Sequence, residues 1–281
     1  MNYIPTSTFV YLIISVALCI LLPMAFVIYL GKKQRVSTKI MVSGVICFIV
    51  FVVIIESIIH QMVLGNLFSK ESNPFLYAVY GGVMAALFEV AARFVGLKFM
   101  VKEKSSVGYA MQFGLGYGLA EVLVVGIMPL ASNLATAVNI NKYGVEEFIN
   151  KAAKAGATSD AIDAFRAGLP ALFENNIQCL YGGFERIFAL ALQIALSIIV
   201  FQAIREAHKN KDYAYLAVAF AIHFITDFSA ALYQAGKIEN MLVVELFTLF
   251  MAAVACIIAR MLYVKNVDEF GGAVNEQSSY S

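Results

Sequence analysis

Residues 187–204 read IFALALQIALSIIVFQAI, eighteen positions without a charge, in which Gln193, Ser197 and Gln202 are the only polar side chains. An apolar helix of about 20 residues crosses the hydrocarbon core of a bilayer, so this stretch predicts a membrane span, placed near 177–203. Working outward in both directions, runs of the same kind fall near 8–30, 38–64, 75–100, 107–128, 213–235 and 239–263. The whole chain agrees with its parts: 61% of its 281 residues are hydrophobic and only 14% charged, with a mean hydropathy of +0.79. A soluble domain of this size could not hide so much apolar surface from water. The expected fold class is therefore all-α, a polytopic membrane bundle of about seven transmembrane helices forming one domain over residues 1–265, with the lipid bilayer as its solvent.

Formal net charge is +1, from 20 Lys and Arg against 19 Asp and Glu, which excludes the basic field that nucleic-acid binding requires. Where the charges lie is more informative than their sum. Twelve of the basic residues follow spans 1, 3, 5 and 7: Lys32, Lys33, Arg35 and Lys39, then Lys98, Lys102 and Lys104, then Arg205, Lys209 and Lys211, then Arg260 and Lys265. The loops after spans 2 and 6 hold only Lys70 and Lys237. By the positive-inside rule the N-terminus is expected outside and the C-terminus in the cytoplasm. The first span follows seven residues without Lys or Arg and exceeds a signal peptide's apolar core, so it reads as a retained helix.

The stretch 131–176 is the one long hydrophilic insertion, with helical periodicity around Val145–Ala153, and one or two surface helices on the outer face are expected there. Such an insertion either caps a cavity or connects two spans, and a connector is the simpler reading. Residues 266–281 form a polar cytoplasmic tail. Cys19, Cys47, Cys179 and Cys256 each lie in an apolar run, with no CxxC pair or zinc spacing, and read as small packing residues.

Ten titratable side chains fall inside the spans: Glu56, His60, Glu89, Arg93, Glu121, Glu185, Arg186, His223, Asp227 and Glu245. Each would cost roughly 2.5–3.5 kcal/mol facing lipid, so they must face one another or a wet cavity. Helical spacing supports mutual contact. Residues four apart share a face, and Glu56/His60, Glu89/Arg93, Tyr117/Glu121 and His223/Asp227 are so spaced, while Arg186 and Gln193 share a face seven apart. Glu89, Tyr117, Gln193 and His223 lie at similar depth in four consecutive spans. Such a layer suits proton handling or hydrolysis, and equally a buried hydrogen-bonded scaffold. Gly114, Gly116 and Gly118, like Gly81 and Gly82, have the small-residue spacing of close helix packing; no strand precedes the first three, which excludes a dinucleotide-binding loop.

Four stretches in order carry a resemblance: Phe88-Glu89-Val90-Ala91-Ala92-Arg93-Phe94, Gly114-Leu115-Gly116-Tyr117-Gly118-Leu119-Ala120-Glu121, Phe184-Glu185-Arg186 leading to Gln193, and His223-Phe224-Ile225-Thr226-Asp227-Phe228. They resemble the motifs of the YhfC-like intramembrane proteases, relatives of the CAAX-prenyl and bacteriocin-processing peptidases. That family's pattern has Phe-Glu-Glu-x-x-Arg-Tyr, Gly-x-Gly-His-Gly-x-x-Glu, Glu-Arg with a histidine eight residues after the glutamate, and His-x-x-x-Asp. The resemblance implies that Glu89 activates a water, that Arg93 anchors it, that His223 and Asp227 stabilise an oxyanion, and that Glu121, Glu185 and Arg186 support the site. It also implies a bacterial plasma membrane.

Three departures matter. Val90 stands where a second glutamate is expected, and Tyr117 and Gln193 stand where two histidines are expected. One imidazole is left in the matched motifs, too few for an ordinary three-ligand metal site, so neither a metal nor another cofactor is expected. A buried carboxylate can still act as a general base alone, and Tyr117 or Gln193 could orient water. The favoured expectation is a degenerate member, inactive or weak, that binds a peptide or a partner transmembrane helix in a polar chamber. The alternatives are an active glutamate-dependent endopeptidase and a proton-coupled carrier, the latter disfavoured by the lack of a repeat or broken helix. A retinal-type photoreceptor is excluded because span 7 has no lysine for a Schiff base.

Overall fold

A computed structural model of the chain describes residues 3–33, 37–64, 67, 69–101, 106–174, 176–210 and 213–278, with the side chains of Lys33, 208–210 and 266–278 outside that description. Arg35, Lys102, Lys104 and Lys211, used above for orientation, lie outside the described residues. No strand occurs among the described residues. Lipid offers no hydrogen-bonding partner to a peptide group, so a spanning segment must satisfy its backbone internally, and helices do this.

Among the described residues, seven helices are long and apolar enough to cross a membrane. In chain order they are α1 (Thr6–Lys33), α2 (Thr38–Val63), α3 (Pro74–Val101), α4 (Val107–Tyr143), α8 (Ile177–Asn210), α9 (Ala214–Gln234) and α10 (Met241–Ser278). Between α4 and α8 lie α5 (Val145–Lys154), α6 (Ser159–Gly168) and the single turn α7 (Pro170–Phe173). Local signals set several ends. Asn73 caps α3 by accepting from the Leu76 amide at 3.2 Å, with Pro74 in the first turn, where its missing N–H costs nothing.

One boundary differs from the sequence reading. Helix α4 does not stop at 128 but continues to Tyr143, so the insertion begins later than residue 131. Pro129 lies two residues beyond the end of a π-helical stretch, Val122–Ile127, and does not end the helix. That wider turn accommodates a residue that cannot donate to the ordinary ladder. Helix α10 runs from the seventh span on to Ser278.

The chain forms two compact units. The first comprises the residues up to Tyr29 with Val122–Ile187. Within it, α1 is tied to the end of the insertion and the start of α8: Thr8 Oγ1 donates to the Leu172 carbonyl and Ser15 Oγ to the Cys179 carbonyl, each at 2.7 Å. Helices α5 and α6 form the expected surface pair, clamped by a bidentate Arg166–Glu146 bridge at 2.9 Å and by Phe148 against Phe165 at 5.2 Å. The guanidinium of Arg166 holds the Glu146 carboxyl below its usual range.

The second unit comprises Leu30–Glu121 with Phe188 onward. Its centre is the first half of α4, gripped on two faces through glycines. On one face Gly44 of α2 lies against the Phe113 carbonyl and the Tyr117 amide, and Gly116 lies against the backbone of Met41. On the other, a Cβ at Gly114 would meet the Ile194 Cα of α8 at 2.8 Å, and one at Gly118 would meet Leu190 at 2.7 Å. Helices α3 and α9 meet the same way: a Cβ at Gly82 would meet the Phe224 carbonyl oxygen at 2.9 Å. Small residues at such crossings let backbones approach closely, which is the packing role expected for these glycines. Polarity is arranged inside out, as a bilayer requires. Glu56, Glu89, Arg93, Gln112, Gln193 and His223 are buried, while Val243, Leu246, Phe250, Ile257 and Met261 on α10 are exposed.

Candidate polar site in the membrane

Helix α3 brings Glu89 and Arg93 to one face, one turn apart. Arg93 Nη2 donates to Glu89 Oε2 at 2.9 Å and Nη1 to the Glu89 main-chain carbonyl at 2.8 Å. Arg93 is completely buried, and a cation so placed persists only when paired. Across the Gly82 crossing, α9 supplies His223, whose Nε2 lies 3.4 Å from Glu89 Oε1 and 2.9 Å from Asp227 Oδ2. Both Glu89 oxygens are thereby engaged. His223 Nδ1 is buried without a hydrogen-bond partner. Asp227 is the accessible edge of the group, with its side chain 34% exposed.

Tyr117 comes from the glycine-gripped part of α4. Its ring lies 4.3 Å from the Arg93 guanidinium carbon, a cation–π contact, and is flanked by Phe48 edge-on at 5.2 Å and Phe113 at 6.3 Å. Its hydroxyl is buried without a hydrogen-bond partner, within the electrostatic reach of Glu89, Arg93, Glu121 and Glu56. One turn on, Glu121 accepts from Gln193 Nε2 of α8, while Gln193 Oε1 is buried and unpartnered. Tyr117 and Glu121 share a helix face without bonding to each other directly.

Seven of the nine candidates named above thus lie together in the second unit: Glu89, Arg93, Tyr117, Glu121, Gln193, His223 and Asp227. Glu185 and Arg186 belong to the first unit, where they pair with each other and the Arg186 side chain packs on Gly126. Three residues outside the matched motifs join the second unit's polar network. His60 Nε2 lies 3.2 Å from Glu56 Oε1, and its Nδ1 lies 3.1 Å from the Tyr80 hydroxyl. Glu56 and His60 were visible as a four-residue pair, but no spacing linked Tyr80 to them.

The comparisons with known proteins agree with this architecture. The family model described as YhfC intramembrane metalloprotease matches residues 18–248. The chain belongs to this family. It is also 30% identical over 249 residues to the "Uncharacterized membrane protein YhfC" of Bacillus subtilis (strain 168), covering 88% of this chain and 93% of that protein. No solved structure matches. The protein is a multi-pass membrane protein of the YhfC family.

The family's description implies a metal, and the donors of this chain do not suit one. Tyr117 and Gln193 carry no imidazole, so His223 is the one imidazole among these seven residues. Glu89, the central carboxylate, has one oxygen and its own carbonyl taken by a fixed cation, Arg93, and its other oxygen faces His223 Nε2. That same nitrogen faces Asp227, so a hydrogen on Nε2 serves both carboxylates. Among the described residues, no group of three or more His, Cys, Asp or Glu could hold a metal ion.

Proposed function

We propose that this YhfC-family protein is a degenerate member, inactive or weak as a hydrolase, which binds a peptide or a partner transmembrane helix at its intramembrane polar site. The observation that carries this reading is Tyr117. Where the family pattern has a histidine, a phenol ring is stacked on the guanidinium of Arg93 in a fully buried position, and neither nitrogen donor nor proton shuttle remains there. Gln193, also at a histidine position, is committed to Glu121. Losing a general acid or base removes factors of about 10²–10⁴ in rate. Recognition groups persist: the half-exposed Asp227 can accept from a peptide N–H or a cationic side chain.

The competing reading, an active glutamate-dependent endopeptidase, draws on one contact. Glu89 keeps a histidine beside it, and a carboxylate so placed can activate water. Incubating the purified protein in lipid nanodiscs with labelled membrane peptides separates the two. The degenerate reading expects binding without cleavage, weakened by Asp227→Asn, and a gain of cleavage by roughly 10²–10⁴-fold in the Tyr117→His/Gln193→His double variant. Cleavage by the unaltered chain that Glu89→Ala abolishes would overturn it.

A further inference from the structure

The π-helical stretch Ile49–Glu56 in the middle of α2 has one buried residue, its last, Glu56. Widening the turn there changes which direction the following side chains take, and an acidic group is delivered to the interior while the seven apolar residues before it are partly or fully exposed. Glu56 is held by His60 through one oxygen only. Its Oε2 is buried and has no hydrogen-bond partner. The Tyr117 hydroxyl, from α4, is buried and unpartnered too. Leaving a buried polar atom unpaired costs about 1–3 kcal/mol, so a merely structural Glu56–His60 clasp gives no reason for either orphan.

His60 lies in the last turn of α2, with its side chain 32% exposed. Its two ring nitrogens are both engaged, and the partners suit either charge state. In the neutral ring Nε2–H donates to Glu56 and the Tyr80 hydroxyl donates to Nδ1. In the charged ring both nitrogens donate, and the Tyr80 oxygen accepts, because a phenol can do either. His60 therefore gains or loses a proton without giving up a contact, which is what a relay requires.

We propose that Tyr80, His60 and Glu56 form a proton-exchange site at one end of the α2 span, through which the buried Glu56 carboxyl gains and loses a proton. A proton taken from water at His60 passes along the Nε2–Oε1 contact to Glu56 and returns by the same route. Only N–H and O–H bonds form and break, and water is the sole co-reactant. The titratable groups facing Glu56 are His60 on its own helix, Tyr80 from α3 and Tyr117 from α4, with Glu89, Arg93 and Glu121 beyond the tyrosine. The site stands whether or not the cluster hydrolyses anything.

Infrared difference spectra of the full chain in nanodiscs, recorded across a pH titration, test this. A pH-dependent protonated-carboxyl band is expected that Glu56→Gln removes. Tyr80→Phe, which keeps the ring and its packing, should move the midpoint of that band by about one pH unit, the tenfold change expected from one lost hydrogen bond to a charged group. His60→Gln should move it further. Persistence of the band in Glu56→Gln, or an unmoved midpoint in Tyr80→Phe and His60→Gln, would overturn the site.

Discussion

Two seams in the second unit hold polar groups in the membrane, and they differ in how those groups are held. Where α3 meets α9, Glu89, Arg93, His223 and Asp227 form a charged set in which both Glu89 oxygens have partners, while Arg93 Nε and His223 Nδ1 are buried without one. Where α4 meets α8, Tyr117, Glu121 and Gln193 leave a phenol hydroxyl and an amide oxygen buried without partners. Both seams rest on glycines at the crossing, so the backbone does not explain the difference. The side chains do: α3 and α9 bring a guanidinium–carboxylate pair and a histidine between two carboxylates, whereas Tyr117 and Gln193 are neutral groups.

The contrast can be broken most severely at Arg93. Arg93→Met removes the cation but leaves Glu89 in place; stranding one partner of a buried pair costs about 3–5 kcal/mol. Thermal unfolding in detergent should show a large loss, and a wild-type midpoint would mean that the α3–α9 seam is not held by charge. Gly116→Ala should come next. Alanine gains about 1 kcal/mol in helix propensity, but the added carbon runs into the Met41 backbone, which cannot rotate aside. Overpacking of this kind costs about 1–3 kcal/mol, so a net loss is expected, and stabilisation would show that α2 and α4 can separate freely. Gln193→Met should matter least. It gives up one hydrogen bond, worth about 0.5–1.5 kcal/mol net, but also removes an orphaned oxygen that costs a similar amount. A midpoint near that of the unaltered chain is expected, and a loss comparable to that of Arg93→Met would erase the distinction between the seams.

Most of the fold is legible from run length, because a bilayer imposes one helix length on every crossing. Six spans agree within a few residues with the membrane-crossing parts of the helices found. The exception is α4, which runs on past Pro129; what a proline does there depends on the turn geometry before it, and composition does not reveal that. The site is legible as far as helical spacing reaches. Glu56 with His60, Glu89 with Arg93 and His223 with Asp227 are contacts within single helices, four residues apart. Contacts between helices were less visible. The Glu121–Gln193 bond, the stacking of Tyr117 on Arg93 and the placement of Tyr80 depend on how faces rotate against each other. Glu185 and Arg186 shared a motif with the rest and nevertheless fall in the other unit, since sequence order along α8 says nothing of where a compact unit ends.

The π-helical stretches have a consequence for how this sequence tolerates change. In an ordinary helix each residue advances about 100° around the axis, so inserting or deleting one residue swings everything beyond it by that angle. The three stretches, Ile49–Glu56, Gly96–Val101 and Val122–Ile127, are places where the spacing has been stretched without breaking the helix. The inward direction of Glu56 is therefore written in the number of residues before it rather than in their identity. Valine could replace isoleucine throughout Ile49–Ile55 with little effect on its aim. The deletion of any one of them would turn a carboxylate toward lipid.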